Sequence, residues 1–323
     1  MPFHAGRPIM LSLVGDSGAG KSTLSNGCVE LLGPERVTAI CLDDYHSLDR
    51  TGRAANHITA LHPDCNHLDL VGQHVRLLRA GEKIFKPVYD HSDGTFGPPE
   101  FVGPGPIVLI HGLHGLYTAE LRNLWDVSVF LDPDPELRVD WKIKRDTSKR
   151  GYTRAEVVQQ LDERRHDSES YIMPQREFAD MVISFYPPPD YAETKDATRL
   201  NVRITLRHPI PLPDLEDAIA LAERQNGHGP TLRLTRGGAG ADLLEINGHI
   251  SDIAMQAVEN RMWDHMPSAR HLRSDRLGLF QDGPVVRRSN PLAVTQLVLT
   301  YYLVKASALA LKEQPHAMEV AAP

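Results

Sequence analysis

Residues 15 to 22 read GDSGAGKS, a match to G-x-x-x-x-G-K-[ST], and this stretch constrains the rest of the chain. It is preceded by a short apolar run, Ile9 to Val14 (IMLSLV). It is followed by KSTLSNGCVELL, which sets Leu24, Cys28, Leu31 and Leu32 at helical spacing. Strand, glycine-rich turn and helix in that order aim backbone N–H groups and a helix N-terminus at one point. Gly15, Gly18 and Gly20 permit positive φ and let a ligand approach the backbone closely. Lys21 is expected to reach the outer phosphates of a nucleoside triphosphate, and Ser22 to hold Mg²⁺ through its hydroxyl.

The strand–loop–helix start predicts an α/β fold, a P-loop NTPase-like mixed sheet with helices on both faces. β-Hairpins and a C-terminal α+β part elaborate it. A second buried strand, residues 36 to 42, ends on Asp43-Asp44-Tyr45-His46. Ligands of open α/β sheets sit beyond the carboxyl ends of the strands, so Asp43 stands where a base for an accepting hydroxyl is needed. Residues 47 to 67 read as a polar loop that folds over substrate. Asn66 is the expected N-cap of a helix striped by Leu68, Val71, Val75 and Leu78. Residues 83 to 106 read as a hairpin, and residues 107 to 110 as the next buried strand, ending on His111. Residues 127 to 131 and 181 to 185 complete the expected core strands. A basic helix is expected over 135 to 149, and a polar one over about 153 to 171, opened by a Thr153–Glu156 capping box. The Pro187–Pro189 break divides a core, residues 1–190, from an α+β extension packed on it, residues 191–323. That extension holds β-like runs at 202–206, 231–234 and 243–246, with helices over about 250–265 and 291–311; the last eight or so residues read as frayed.

Arg138, Lys142, Arg145 and Lys149 follow i, i+4, i+7, i+11 spacing and lie on one face of the basic helix. With a net charge of −7, such a cationic stripe is a candidate phosphate site rather than a general nucleic-acid surface. Arg50 and Arg53 follow Asp43 and are candidates to clamp an anion, while Tyr89 and His91 in KPVYDH are candidates to touch sugar hydroxyls. The three cysteines lack metal-ligand spacing and read as free thiols of a reducing compartment. There is no N-terminal signal-like segment and, on this reading, no apolar run of membrane-spanning length, so a cytoplasmic protein is expected.

GDSGAGKST, CLDDYHSLDRTGR, KPVYDHSDG, GLHGLY and KIKRDTSKRGYT occur in that order. Together they resemble the phosphoribulokinase and uridine kinase family, and CLDDYHSLDRTGR is close to its plant and cyanobacterial phosphoribulokinase members. The resemblance extends through DLLEINGHISDI and LGLFQD. It implies Mg²⁺-dependent transfer of the ATP γ-phosphoryl group to O1 of D-ribulose 5-phosphate, the Calvin-cycle step that makes ribulose 1,5-bisphosphate. It implies that Gly15, Asp16, Ser17, Gly18, Ala19, Gly20, Lys21, Ser22 and Thr23 bind ATP. By the same resemblance Asp43, Lys21 and Arg145 carry catalysis, and His46, Arg50, Tyr89, His91, Lys142, Arg145 and Arg150 meet the sugar phosphate; Arg53 joins them as a candidate from its place after Asp43 alone. Ser22 and Asp43 are the implied metal-side residues, and a homodimer or larger assembly is implied.

Two departures stand out. The family's acid at the end of the Walker B strand is replaced by His111, and a neutral imidazole does not substitute for a carboxylate around Mg²⁺. Asp43, Asp44 or Asp146 is then left to supply that charge. Photosynthetic members pair a phosphate-loop cysteine with one before the catalytic aspartate; Cys41 matches the second, but Ala19 stands at the first, so that thiol switch cannot form. The alternatives are a family kinase acting on a nucleoside or another sugar phosphate, and a nucleotide-binding regulatory relative weakened in catalysis.

Overall fold

The computed structural model of the protein describes residues 6–226, 231–238 and 240–312; the terminal segment expected to fray lies outside them. Five parallel strands form the core: β1 (Ile9–Gly15), β2 (Val37–Cys41), β5 (Ile107–Gly112), β6 (Val127–Leu131) and β7 (Met181–Tyr186). Their order is β2-β5-β1-β6-β7. The sheet then continues in antiparallel fashion through β8 (Asn201–Leu206), β10 (Asp242–Ile246) and β9 (Leu232–Thr235), eight strands among the described residues. It therefore runs unbroken past residue 190.

β1 is buried on both faces, as a central parallel strand requires. Ile9, Leu11 and Leu13 pack with α1 (Lys21–Leu32), α10 (Asp252–Asp264) and α11 (Asn290–Lys312). Met10 and Val14 pack on the opposite face with Val71, Val75 and Leu78 of α3 (Leu68–Arg79). Layers of helices thus cover both faces of a mixed sheet, as the strand–loop–helix start implied.

α11 corrects one expectation. It is a 23-residue helix long and apolar enough to cross a membrane by length and composition, yet 83% of its most apolar stretch is buried inside the protein. A helix apolar all round is what the centre of a large core needs.

The β3 (Ile84–Asp90) and β4 (Thr95–Val102) hairpin stands apart from the main sheet. α2 (Arg50–Ala55) fills the stretch expected to be loop, capped by Asp49, whose carboxylate accepts the Gly52 N–H. Asn66 is not the cap of α3: His67 occupies that position without a side-chain cap. The Asn66 amide is taken by His46 and by the Ala60 and His62 carbonyls.

α4 (Ala119–Arg122) is one turn, and α5 (Pro135–Lys149) fills its expected span, with Asp134 accepting the Glu136 and Leu137 N–H groups. The Thr153–Glu156 capping box is formed, but α6 (Arg154–Glu163) ends before Tyr171. The chain continues as the turn α7 (Arg165–Asp167) and then further tight turns. After the turn α8 (Tyr191–Thr194), α9 (Glu216–Asn226) is a helix the sequence reading missed. Its signal was present: the Asp214 carboxylate accepts the Glu216 N–H, and Leu215 and Ala218 are buried. The second hairpin, β11 (Leu279–Asp282) and β12 (Val285–Arg288), turns on Gly283 at φ +65° after Asp282, a hairpin signature that also went unread.

Candidate active site

The carboxyl ends of β1, β2 and β5 open on one edge. In register, Val14 stands beside Gly112 and Cys41 beside His111, so the chain leaving each strand enters the same space. A Cβ on Gly112 would fall 2.4 Å from Leu42 Cβ; glycine there lets the Leu42–Tyr45 turn, with Asp43 and Asp44, close onto β5.

The phosphate loop leaves β1 and enters α1 at Gly20, which sits at φ +91° and offers no side chain to cap the first amides of the helix. Those N–H groups are donors without an intrahelical partner, the condition for anion binding at a helix start. Ser22 and Thr23 are exposed in the first turn. Gly18, at φ +86°, sits so close to α5 that a Cβ would lie 2.9 Å from Lys142 Cβ and 3.1 Å from the Arg138 carbonyl oxygen. The basic helix therefore lies directly against the loop.

Lys21 Nζ donates to the Gly15 and Asp16 carbonyl oxygens at 2.7 and 2.9 Å. Burial pulls its pKa down, aided by Arg145, while Asp43 and Asp16 oppose that shift. Two residues expected at the nucleotide site turn their side chains away from the loop's open side. Ala19 is buried in the core, and the Asp16 carboxylate faces inward, taking Arg138 at 2.8 Å and the Ser168 hydroxyl at 2.5 Å.

On α5, Asp146 is the hub. Its carboxylate, 1% exposed, takes Lys142 Nζ at 2.7 Å and Arg145 Nε at 2.7 Å, with Arg150 at 3.6 Å. Burial alone would raise its pKa, but the bonds from Arg145 and Lys142 win and hold it low. Arg145 also reaches the Ser17 hydroxyl at 3.4 Å. The expected face is thus real for Arg138, Lys142 and Arg145, while Lys149 is exposed. The Lys142 ammonium, 1% exposed and bound to Asp146, is committed to that carboxylate rather than open to a ligand.

Asp43 keeps 29% of its side chain exposed and lies 3.4 Å from His91 Nε2. Burial would raise its pKa, but the His91 contact, His46 and Lys21 together drive it well below the usual carboxylate range. Asp43 is therefore ionised. Asp44 is spent on the hairpin, accepting Lys86 Nζ at 2.6 Å and the Tyr89 N–H at 3.0 Å. Asp44 and Asp146 are both taken by cations, so neither is left to replace the acid missing at His111. His111 itself is depressed first by burial and then by Lys21, and is neutral.

Around Asp43 the other expected residues converge. His46 is buried, shares a hydrogen bond with Asn66 at 2.9 Å, and meets the Tyr89 ring edge-on at 5.0 Å. Arg53 donates to the Tyr89 hydroxyl at 2.5 Å and to the Leu48 carbonyl at 2.7 Å. Arg50 donates to the His91 carbonyl at 2.9 Å. The hairpin is thus tied to the Leu42–Tyr45 turn and the segment after it by Asp44, Arg50 and Arg53. Sequence reasoning missed Arg164. Burial, and then Arg53, lower its pKa, Tyr152, Asp146 and Asp16 oppose that shift from a distance, and among the described residues its guanidinium has no hydrogen-bond or ion-pair partner. An arginine crowded by another cation and left unpaired fits an anion site; no motif at its position signalled it.

His114, 2% exposed, makes no well-aligned hydrogen bond through either ring nitrogen among the described residues, only a weak approach to the Leu61 backbone. Burial, then His46, press its pKa down to about 4. A group lowered on folding contributes stability that is complete above its unfolded pKa and is lost as pH falls through its folded value. Native stability should therefore drop as pH goes from about 6.5 to about 4, by roughly 3 kcal/mol for this group alone. Denaturant melts of the native chain and His114→Asn across that range check it; the variant should show a shallower fall.

The model of the phosphoribulokinase / uridine kinase family matches residues 10–192. The phosphoribulokinase of Synechocystis sp. is 36% identical over 277 residues, covering 81% of this chain and 83% of that protein. The chloroplastic phosphoribulokinase of Spinacia oleracea is 36% identical over 213 residues, covering 61% of this chain but 53% of that longer protein. The solved phosphoribulokinase structure from Rhodobacter spheroides shares the fold, at TM-score 0.60 and 21% identity, over 84% of this chain and all of that one. With the phosphate loop, the strand-end aspartate and the matched span in agreement, this chain belongs to the phosphoribulokinase and uridine kinase family.

Proposed function

We propose that this chain is a phosphoribulokinase, transferring the γ-phosphoryl group of ATP to O1 of D-ribulose 5-phosphate. The observation that carries the reading is Asp43: ionised, electrostatically coupled to Lys21 of the phosphate loop, and 3.4 Å from His91 of the hairpin. A base between a triphosphate loop and a second, cation-lined surface is what phosphoryl transfer to a bound alcohol requires.

The steps follow from these positions. The first-turn amides of α1 and Lys21 hold the ATP phosphates. Arg50, Arg53, Arg150 and Arg164, with His46, Tyr89 and His91, hold the sugar phosphate and orient its C1 hydroxyl. As the hydroxyl oxygen bonds to the γ-phosphorus and the bond to ADP breaks, Asp43 accepts the proton. Its low pKa makes it a weak base toward a free alcohol, so the proton moves late, once the new bond has made the hydroxyl acidic. Arg145, oriented by Asp146, offsets charge on the transferring group.

Mg²⁺ fits the residues present as a partial oxygen set. Ser22 Oγ and Asp43 are hard donors, the phosphates of ATP would complete the shell, and among the described residues no trio of His, Cys, Asp or Glu forms a cage. When bound it would neutralise phosphate charge. His111→Glu should lower the Mg²⁺ concentration needed for half-maximal ATP-analogue binding; unchanged Mg²⁺ dependence would mean that position 111 lies outside the metal's reach.

The arginine lining favours a phosphorylated acceptor over a neutral nucleoside. ADP release driven by ribulose 5-phosphate should far exceed that driven by uridine; the reverse order would assign a nucleoside kinase, and no acceptor dependence a regulatory nucleotide binder. We further propose that residues 191–323 extend the core as one unit, that the protein is cytoplasmic, and that it assembles as a homodimer or larger.

A further inference from the structure

From Arg164 the chain winds through α7, a π turn over Ser168–Ile172 and a 3₁₀ turn over Met173–Phe178. π turns are rare and concentrate at functional sites. This run sends side chains to three separate loops. The Ser168 hydroxyl donates to the buried Asp16 carboxylate of the phosphate loop at 2.5 Å. One residue earlier, Asp167 accepts the Thr59 hydroxyl at 2.6 Å, from the loop that follows α2 on the acceptor side. Tyr171 and His62 of that loop share a contact at 3.2 Å. Gln175, 2% exposed, is fixed to the Leu113 carbonyl and the Leu116 N–H beyond β5.

Both hydroxyl–carboxylate bonds are short and charge-assisted, the strong class. They are separated by a single peptide unit, so Asp16 cannot move far without carrying Thr59 with it. The run itself is anchored by Gln175, so displacement at one end has little room to dissipate.

We infer that the Asp167–Ser168 step is a mechanical link between the nucleotide loop and the acceptor loop, through which occupation of either site strengthens binding at the other. It rests on the proposed ATP and ribulose 5-phosphate sites. Ser168, Asp167 and Thr59 are positioning residues. Nucleotide bound at the loop fixes Asp16, Asp16 fixes Ser168, and the acceptor loop then has less freedom left to lose when the sugar phosphate arrives. By linkage the effect is reciprocal.

The test is calorimetric binding of a non-hydrolysable ATP analogue with Mg²⁺, with and without saturating ribulose 5-phosphate. In the native chain the two affinities should differ by at least about five-fold, the low end of ordinary coupling. Ser168→Ala and Thr59→Val should each bring that ratio to within about two-fold of unity, while Ser168→Thr, which keeps the hydroxyl and leaves both carboxylates in place, should preserve it. Thr59→Val alters only the loop side, so the test stands even if Ser168→Ala fails to fold. A native ratio of one overturns the link. So do variants that weaken both affinities equally and leave the ratio intact, since that is a merely structural effect. A native chain that binds the analogue but not ribulose 5-phosphate overturns the acceptor assignment, and the link with it. A native chain that binds both, with a ratio unmoved in Ser168→Ala and Thr59→Val, overturns the link alone.

Discussion

Asp43→Asn should lower kcat with ribulose 5-phosphate by about 10²- to 10⁴-fold, the usual worth of a positioned general base. The substitution is nearly isosteric and removes the charge, and with it the ability to accept a proton and a carboxylate donor toward Mg²⁺. Asp43 opposes the burial that depresses Lys21, so its loss also lets the Lys21 ammonium become somewhat easier to deprotonate. ATP-analogue affinity should therefore fall modestly while turnover collapses. Steady-state kinetics beside direct binding separate the two. A variant that keeps kcat and loses only acceptor affinity would recast Asp43 as a binding residue and move the base elsewhere.

Arg145→Ala should cost about 10³-fold or more in kcat, as loss of a charge-stabilising arginine does in other phosphoryl transfers. The geometry argues for a transition-state role. Its guanidinium is held through Nε by the buried Asp146 carboxylate and reaches the Ser17 hydroxyl of the phosphate loop, with 33% of the side chain still exposed. Its plane is fixed before substrate arrives, so little reorganisation remains when charge develops. The fold should tolerate the change, because Asp146 keeps Lys142 as a partner at 2.7 Å. Arg145→Lys should recover little: an ammonium retains the charge but cannot bond Asp146 and present a fork at once. Kinetics with both variants check this. A raised KM at unchanged kcat would mean that Arg145 binds ground-state phosphate equally well and accelerates nothing.

The parts of this molecule that were legible in the sequence are those whose physics is local. The glycines of the phosphate loop, the Thr153–Glu156 capping box and the 135–149 helix each announce themselves within a few residues. The aspartate at the end of β2 was legible because strand ends are where open sheets bind ligands. What was not legible depends on tertiary pairing. The i, i+4 spacing of Lys142 and Asp146 put them on one helix face, but only burial against the phosphate loop turns them into a committed pair. Asp44 looked available to a metal until the hairpin brought Lys86 to it. Asp16 was expected at the nucleotide site, and only the fold shows that its side chain is tied to Arg138 and Ser168, 122 and 152 residues away. α11 shows the same limit from the other side, since an apolar run long enough for a bilayer is here the centre of a protein core. Arg164 had no motif to mark it; its significance comes from the cations around it and the partner it lacks.

The most direct test of the central assignment is to follow the phosphate itself. Purified protein would be incubated with Mg²⁺, ATP labelled at the γ-phosphoryl group and ribulose 5-phosphate, and the position of the label read in the product. The expected result is label on the C1 oxygen of ribulose 1,5-bisphosphate, one per ADP formed. Label released as inorganic phosphate, or carried only by an acceptor other than the pentose phosphate, would contradict it.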